Sequence, residues 1–242
     1  MSQAGEAVRV EVTRSLVHVT LARPERYNVL DTSTLSCLAQ HLQTHRAPLP
    51  LLLEGEGVFS VGGDITELAG FHTADARHYS RLGQDVVDII ESWPAVTVAR
   101  LAGYALGTGL ELALGCDVLI GTTDVRIGLP GLAWALVPCL GGLRRLSCRL
   151  SSEMCSELFL GGEVLEAEKA LAGGLLNRLS DQPLQRYAAS FSEFSPSAVD
   201  CIRSIRLERQ GRIDHDAEAE LFAQPFASGE CQKRLKRLLS SG

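Results

Sequence analysis

Two hydrophobic periods alternate along the first two thirds of the chain, and few folds accept that alternation. "VRVEV" (Val8–Val12) and "LVHVTLA" (Leu16–Ala22) place Val or Leu at every second position, the pattern of strands with one face on a core, and their closeness predicts an opening hairpin. In "LDTSTLSCLAQHL" the period becomes helical: Asp31 or Thr32 is a candidate N-cap for Leu35, Leu38, Ala39 and Leu42. "LPLLLE" (Leu49–Glu54) reads as a short buried strand. The segment from Tyr79 to Trp93 then places Tyr79, Leu82, Val86 and Ile90 on one face of a helix that Pro94 stops. "AVTVARL" is a strand, Gly107–Gly115 a helix, and "DVLIGT" (Asp117–Thr122) a strand again. Strand, helix, strand in repetition is the signature of an α/β architecture.

The character changes at Ser151. "SSEMCSELFL" opens on a capping serine and "LEAEKALAGG" ends on Gly173–Gly174, a helix stop. Beyond Pro183 the pattern is helical, and "LLNRL" offers the last convincing strand before it. The expected division is an α/β core over residues 1–180 and a C-terminal α-helical region over 181–242, with no fixed-period repeat.

Acidic and basic residues, 29 and 23 of 242, are intermixed for a formal charge of −6, which leaves no extended positive surface for nucleic acid. The basic run Lys233–Arg237 reads as a solvated helix face. Seven cysteines lack CxxC pairs and mostly sit beside apolar neighbours, as buried thiols in a reducing compartment would. "MSQAGEAVRVEV" has no signal-peptide pattern, and no stretch reaches the roughly 18 apolar residues of a membrane span. A cytoplasmic location is the expectation.

Two glycine-bearing turns, "VFSVGGDITEL" (Val58–Leu68) and "GYALGTGLEL" (Gly103–Leu112), each lead from an apolar strand towards a helix. The first N–H groups of a helix are unpaired and partially positive, so both turns suit an anionic oxygen, and two such donors meeting at one point form an oxyanion hole. The second turn carries Glu111 in an otherwise apolar stretch. Its structural alternative is a pairing with a basic residue such as Arg100 or Arg126, or a solvated helix edge. Asp64, opening "DITEL", reads as an N-cap and Asp117 as a strand-start residue. His41 and His45, four apart on one helix, read as a surface pair, and no metal-ligand set, G-x-S-x-G elbow or GxxxxGK[ST] loop is present. Trp134 and Phe59 read as pocket-wall or core residues.

Taken in order, "RPERYNVLD" (Arg23–Asp31), the two glycine turns, "LPGLAWALVPCLGGLRRL" (Leu129–Leu146) and "LFLGGEVLEAEKALAGGLLNRL" resemble the crotonase, or enoyl-CoA hydratase/isomerase, superfamily over nearly the whole chain. The resemblance implies a spiral of ββα repeats with a C-terminal helical region that assembles trimers or pairs of trimers. It implies acyl-CoA thioesters as substrates, with no metal or redox cofactor. Two backbone amides would stabilise the thioester enolate, and they fall on Gly63 and Thr108. Glycine at 63 lets the oxygen approach closely. Thr108 departs from the family's usual glycine and narrows the space above its amide.

Glu111 matches the first of two family glutamates. It lies about 4.5 Å along a helix axis from Thr108, near enough for both to face one pocket. The position of the second glutamate falls on Gly131, and Gly128–Pro138 contains no acid. By the same resemblance, Asn28, Val29, Leu30, Val61, Gly63, Asp64, Ile65, Thr66 and Thr108 line the path of the CoA. The leading expectation is hydration of a 2-enoyl-CoA. The missing acid keeps two others open: decarboxylation or C–C bond chemistry on a carboxyacyl-CoA, and CoA-thioester binding without turnover.

Overall fold

The computed structural model of the chain describes residues 7–209, 219–220, 222–223, 226–227 and 229–240. Strands β1 (Val8–Val12) and β2 (Val17–Leu21) form the expected hairpin, pairing Val8 with Leu21 and Val12 with Val17. In β2, Val17, Val19 and Leu21 are buried while His18 and Thr20 are half-buried, so the two-residue period does select the core face. Strands β3 (Leu51–Gly55), β4 (Thr97–Leu101), β6 (Val118–Gly121) and β9 (Arg178–Leu179) add in parallel to give one sheet of order β1-β2-β3-β4-β6-β9.

A second sheet, β5 (Tyr104–Leu106), β7 (Arg126–Gly128) and β8 (Val164–Glu166), was not foreseen. Three residues are too few for a period to register. Isolated parallel bridges extend this layer, Leu30 to Gly63 and Ser60 to Ala105. Each turn of the chain therefore lays a segment in the first sheet and another in the second layer before a helix, which is the ββα spiral.

Helix α1 (Thr32–Thr44) is capped by Asp31, whose carboxylate accepts from the Thr34 N–H at 2.7 Å, and it buries Leu35, Leu38 and Leu42. Short α2 (Ile65–Leu68) follows Asp64, which caps it as expected by accepting from the Thr66 N–H at 2.9 Å. Helix α3 (Thr73–Glu91) packs on α1 and corrects the predicted Tyr79 start. Its first turns are polar, and the His72 N–H is held by Asp75 at 2.8 Å rather than by a residue the sequence marks as a cap. At the other end α3 stops at Glu91, ahead of Pro94.

Further α-helices among the described residues include α4 (Thr108–Ala113), α5 (Gly142–Ser147), α6 (Ser152–Phe159), α7 (Ala167–Ala172), α8 (Gln185–Ala189), α9 (Pro196–Arg209) and α10 (Glu230–Ser240). Ser151 caps α6, and Gly173 ends α7. The helical tail is tied to the body through buried Arg203 of α9, which donates to Asp117 at 2.6 Å and to the Ala95 carbonyl at 3.0 Å. Asp117 lies just before β6 and also accepts from the Thr97 N–H at 2.9 Å. Lys233, Arg234, Lys236 and Arg237 lie on the exposed face of α10, while Leu235 is buried.

All seven cysteines are free thiols; Cys116, Cys139, Cys155 and Cys231 are buried, and burial pushes Cys116 up to about 12. Among the described residues no helix is long and apolar enough to cross a membrane.

Candidate active site

The register of the second layer decides what the two glycine turns can do. Ser60 pairs with Ala105, and Gly63 and Thr108 each lie three residues further along their parallel segments. The turns therefore run side by side. Gly62 makes their closeness possible: its φ is +95°, and a Cβ there would lie 2.7 Å from the Leu106 carbonyl oxygen and 3.3 Å from the Thr108 nitrogen. Thr108 is the first residue of α4, so its N–H precedes the intrahelical ladder. Among the described residues, neither the Gly63 nor the Thr108 N–H donates to a protein acceptor.

Both residues line a cavity of about 100 Å³. Val61, Ile65, Glu111 and Gly131, expected at the site, line it too. Asp64, Thr66 and Asn28–Leu30 lie outside its lining. Asn28 is buried and spends its side chain on structure, its Oδ1 accepting from the Arg23 N–H at 2.8 Å and its Nδ2 donating to the Val58 carbonyl at 2.7 Å. Asp64 is held by Arg26 at 2.5 Å besides its capping bond. Most of the remaining wall is apolar: Leu68, Leu129, Trp134, Leu136, Phe159 and, from the C-terminal region, Phe222. Phe59 is core.

Glu111 is 1% exposed and pairs with neither candidate arginine. Arg100 stands 3.7 Å from Glu54 and Arg126 stands 3.2 Å from Glu166. Instead the carboxylate is held by backbone: Oε1 accepts from the Leu140 N–H at 2.8 Å and the Gly142 N–H at 2.9 Å, and Oε2 from the Cys139 N–H at 3.1 Å. Burial of an anion is tolerable here because peptide donors replace water. Sequence reasoning missed this cradle; the paired glycines of "PCLGGL" were the one available signal.

It also missed Tyr79. Its hydroxyl donates to the Leu30 carbonyl at 2.7 Å and lies 3.5 Å from the Thr108 hydroxyl, on the cavity wall beside Gly63. Burial first, and the neighbouring Cys139 and Glu111 groups after it, hold the phenol well above its ordinary range, so it stays protonated and donating. His41 and His45 stack on α1 at 5.7 Å, away from the cavity. Among the described residues no group of three His, Cys, Asp or Glu side chains could hold a metal ion.

A ββα spiral whose paired turns open on such a cavity is the crotonase architecture. The chain belongs to the enoyl-CoA hydratase/isomerase family, whose model matches residues 11–237, and it is an acyl-CoA enzyme of that family. It is similar to the short-chain-enoyl-CoA hydratase of Clostridium acetobutylicum, with 31% identity over 221 residues, 88% of this chain and 84% of that protein. The (E)-benzylidenesuccinyl-CoA hydratase of Thauera aromatica is 32% identical over 212 residues, 85% of this chain and 82% of that protein. The crystal structure of an enoyl-CoA hydratase from Bacillus halodurans superposes with a TM-score of 0.84 at 23% identity, covering 96% of this chain and 99% of that one, a likeness of fold.

Proposed function

We propose that this enzyme hydrates a 2-enoyl-CoA, with the Gly63 and Thr108 amides holding the thioester oxygen and Glu111 handling the proton. The observation that carries the reading is the meeting of two unpaired peptide N–H groups and one buried carboxylate on a single apolar cavity. As water adds to the β-carbon, Glu111 accepts its proton and the electron pair of the double bond moves into the thioester, giving an enolate whose oxygen the two amides stabilise. Glu111 then returns the proton to the α-carbon. One carboxylate thus performs both transfers, which accommodates glycine at 131.

Tyr79 and the apolar wall keep bulk water from the enolate. The backbone of Asn28–Leu30 and Val61–Thr66 is assigned to the CoA moiety. The C-terminal region, residues 181–242, is assigned to trimer formation. Glycine at 131 would equally suit decarboxylation of a carboxyacyl-CoA. Against that, no Lys, Arg or His lines the cavity among the described residues, so a second carboxylate would be buried beside Glu111 without a cation. An uncharged acyl group is therefore the better fit.

Loss of crotonyl-CoA absorbance with the purified protein tests the reading. Glu111→Gln is expected to lower turnover by about 10²–10⁴, the usual worth of a general acid–base. No turnover across short, long and branched enoyl-CoAs would refute it.

A further inference from the structure

The carboxylate of Glu111 is only as well placed as the peptide groups that hold it, and those peptide groups have holders of their own. Helix α3 approaches the Cys139–Leu140 segment so closely that a Cβ on Gly83 would lie 2.5 Å from the Leu140 side chain. On either side of Gly83 stand two buried polar residues, Ser80 and Gln84, one helical turn apart. Both point at one atom. The Ser80 hydroxyl donates to the Cys139 carbonyl at 2.7 Å, and Gln84 Nε2 donates to that carbonyl at 3.1 Å and to Ser80 Oγ at 2.9 Å.

The Cys139 carbonyl and the Leu140 N–H belong to the same planar trans peptide, so they point in opposite directions. Fixing the carbonyl towards α3 aims the N–H at Glu111, where it meets Oε1 at 2.8 Å. The next carbonyl, that of Leu140, is anchored in turn by Arg145 at 2.7 Å, and Arg145 is paired with Glu91 of α3. Gln84 retains this arrangement although, among the described residues, its own Oε1 is buried without a hydrogen-bond partner. A position needed for packing alone would be filled by Leu or Met without stranding an acceptor.

We propose that Ser80 and Gln84 are positioning residues for Glu111, acting through the Cys139–Leu140 peptide plane. The inference rests on the hydratase reading for its catalytic consequence, while its structural half stands without substrate. Two measurements separate the two. In the resting protein, the Ser80→Ala/Gln84→Met double variant should speed hydrogen exchange at the Leu140 amide by roughly 10-fold or more, with exchange in β4 unchanged. In turnover, Ser80→Ala alone should lower kcat roughly 10-fold with KM little changed, since a small misplacement near the chemistry is costly. Ser80→Thr, which keeps the hydroxyl, should recover activity, and Ser80→Ala should have no further effect once Glu111 is Gln.

Unchanged Leu140 exchange in the double variant overturns the inference, whether or not any substrate is turned over. An undiminished effect of Ser80→Ala in the Glu111→Gln enzyme overturns it as well, because the residue would then act independently of Glu111. If Glu111→Gln leaves turnover intact, the hydratase reading fails separately.

Discussion

Replacing Gly142 by alanine sets two physical effects against each other with opposite signs. Gly142 opens α5 and is not among the glycines with positive φ, so its backbone accepts any L-residue. Helix propensity alone would favour alanine there by up to about 1 kcal/mol. The space does not accept it: a Cβ would lie 2.6 Å from both Cγ and Oε1 of Glu111, where ordinary contact begins near 3.4 Å. The carboxylate must withdraw by about 0.8 Å, which stretches its bonds to Leu140 and Gly142 past hydrogen-bonding range.

Weakening two charge-assisted bonds to a buried anion costs about 3 kcal/mol net of propensity. For a chain of this size that lowers Tm by about 6–12 °C. On the proposed role of Glu111 in proton transfer, turnover should fall by about 10², the expected result of misplacing such a group by about 1 Å. Differential scanning calorimetry and the crotonyl-CoA assay read the two quantities on the same preparation. A variant with wild-type or higher Tm and undiminished kcat would refute the argument that this cradle holds Glu111.

Two further outcomes follow from separate parts of the structure. Thr108 is the first residue of α4, a position where proline is tolerated, so Thr108→Pro removes the N–H while leaving the helix start. It should cost about 10²–10³ in kcat, whereas Thr108→Gly, which keeps the N–H, should stay active; equal activities would deny the amide a role. Burial would raise the Asp31 carboxyl, but hydrogen bonds from Arg23 and Thr34 outweigh it and hold the group at about 2 instead of 3.8. A depressed carboxylate contributes stability above its unfolded value and loses it as pH falls through the folded one. The protein should therefore lose about 1–2 kcal/mol between pH 4 and 2 on this account. Asp31→Asn, followed by urea titration, should flatten that part of the profile, and an unchanged slope would count against the pairing.

Long elements were legible because their periods are long enough to register: β1, β2, α1, β3, β4 and β6 fall where the hydrophobic pattern puts them. The second sheet was not, because its strands have three residues each and are defined by partners distant in sequence. Motif resemblance singled out Gly63, Thr108, Glu111 and Gly131, and all four line one cavity. What the chain does not spell out is who holds Glu111. Its partners are main-chain groups of Cys139, Leu140 and Gly142, and a peptide N–H leaves no mark in side-chain identity. Tyr79 escaped for a related reason: on a helix it fits the apolar stripe, and its hydroxyl becomes informative only once the second layer brings Leu30 and Thr108 beside it.

The central claim is that two peptide N–H groups, at Gly63 and Thr108, receive one carbonyl oxygen. A crystal structure of the protein with a bound acyl-CoA measures that directly. The thioester oxygen should lie within about 2.7–3.2 Å of both nitrogens, with the acyl chain against Glu111. A carbonyl turned away from either nitrogen, or an acyl chain lodged outside the cavity, would contradict it.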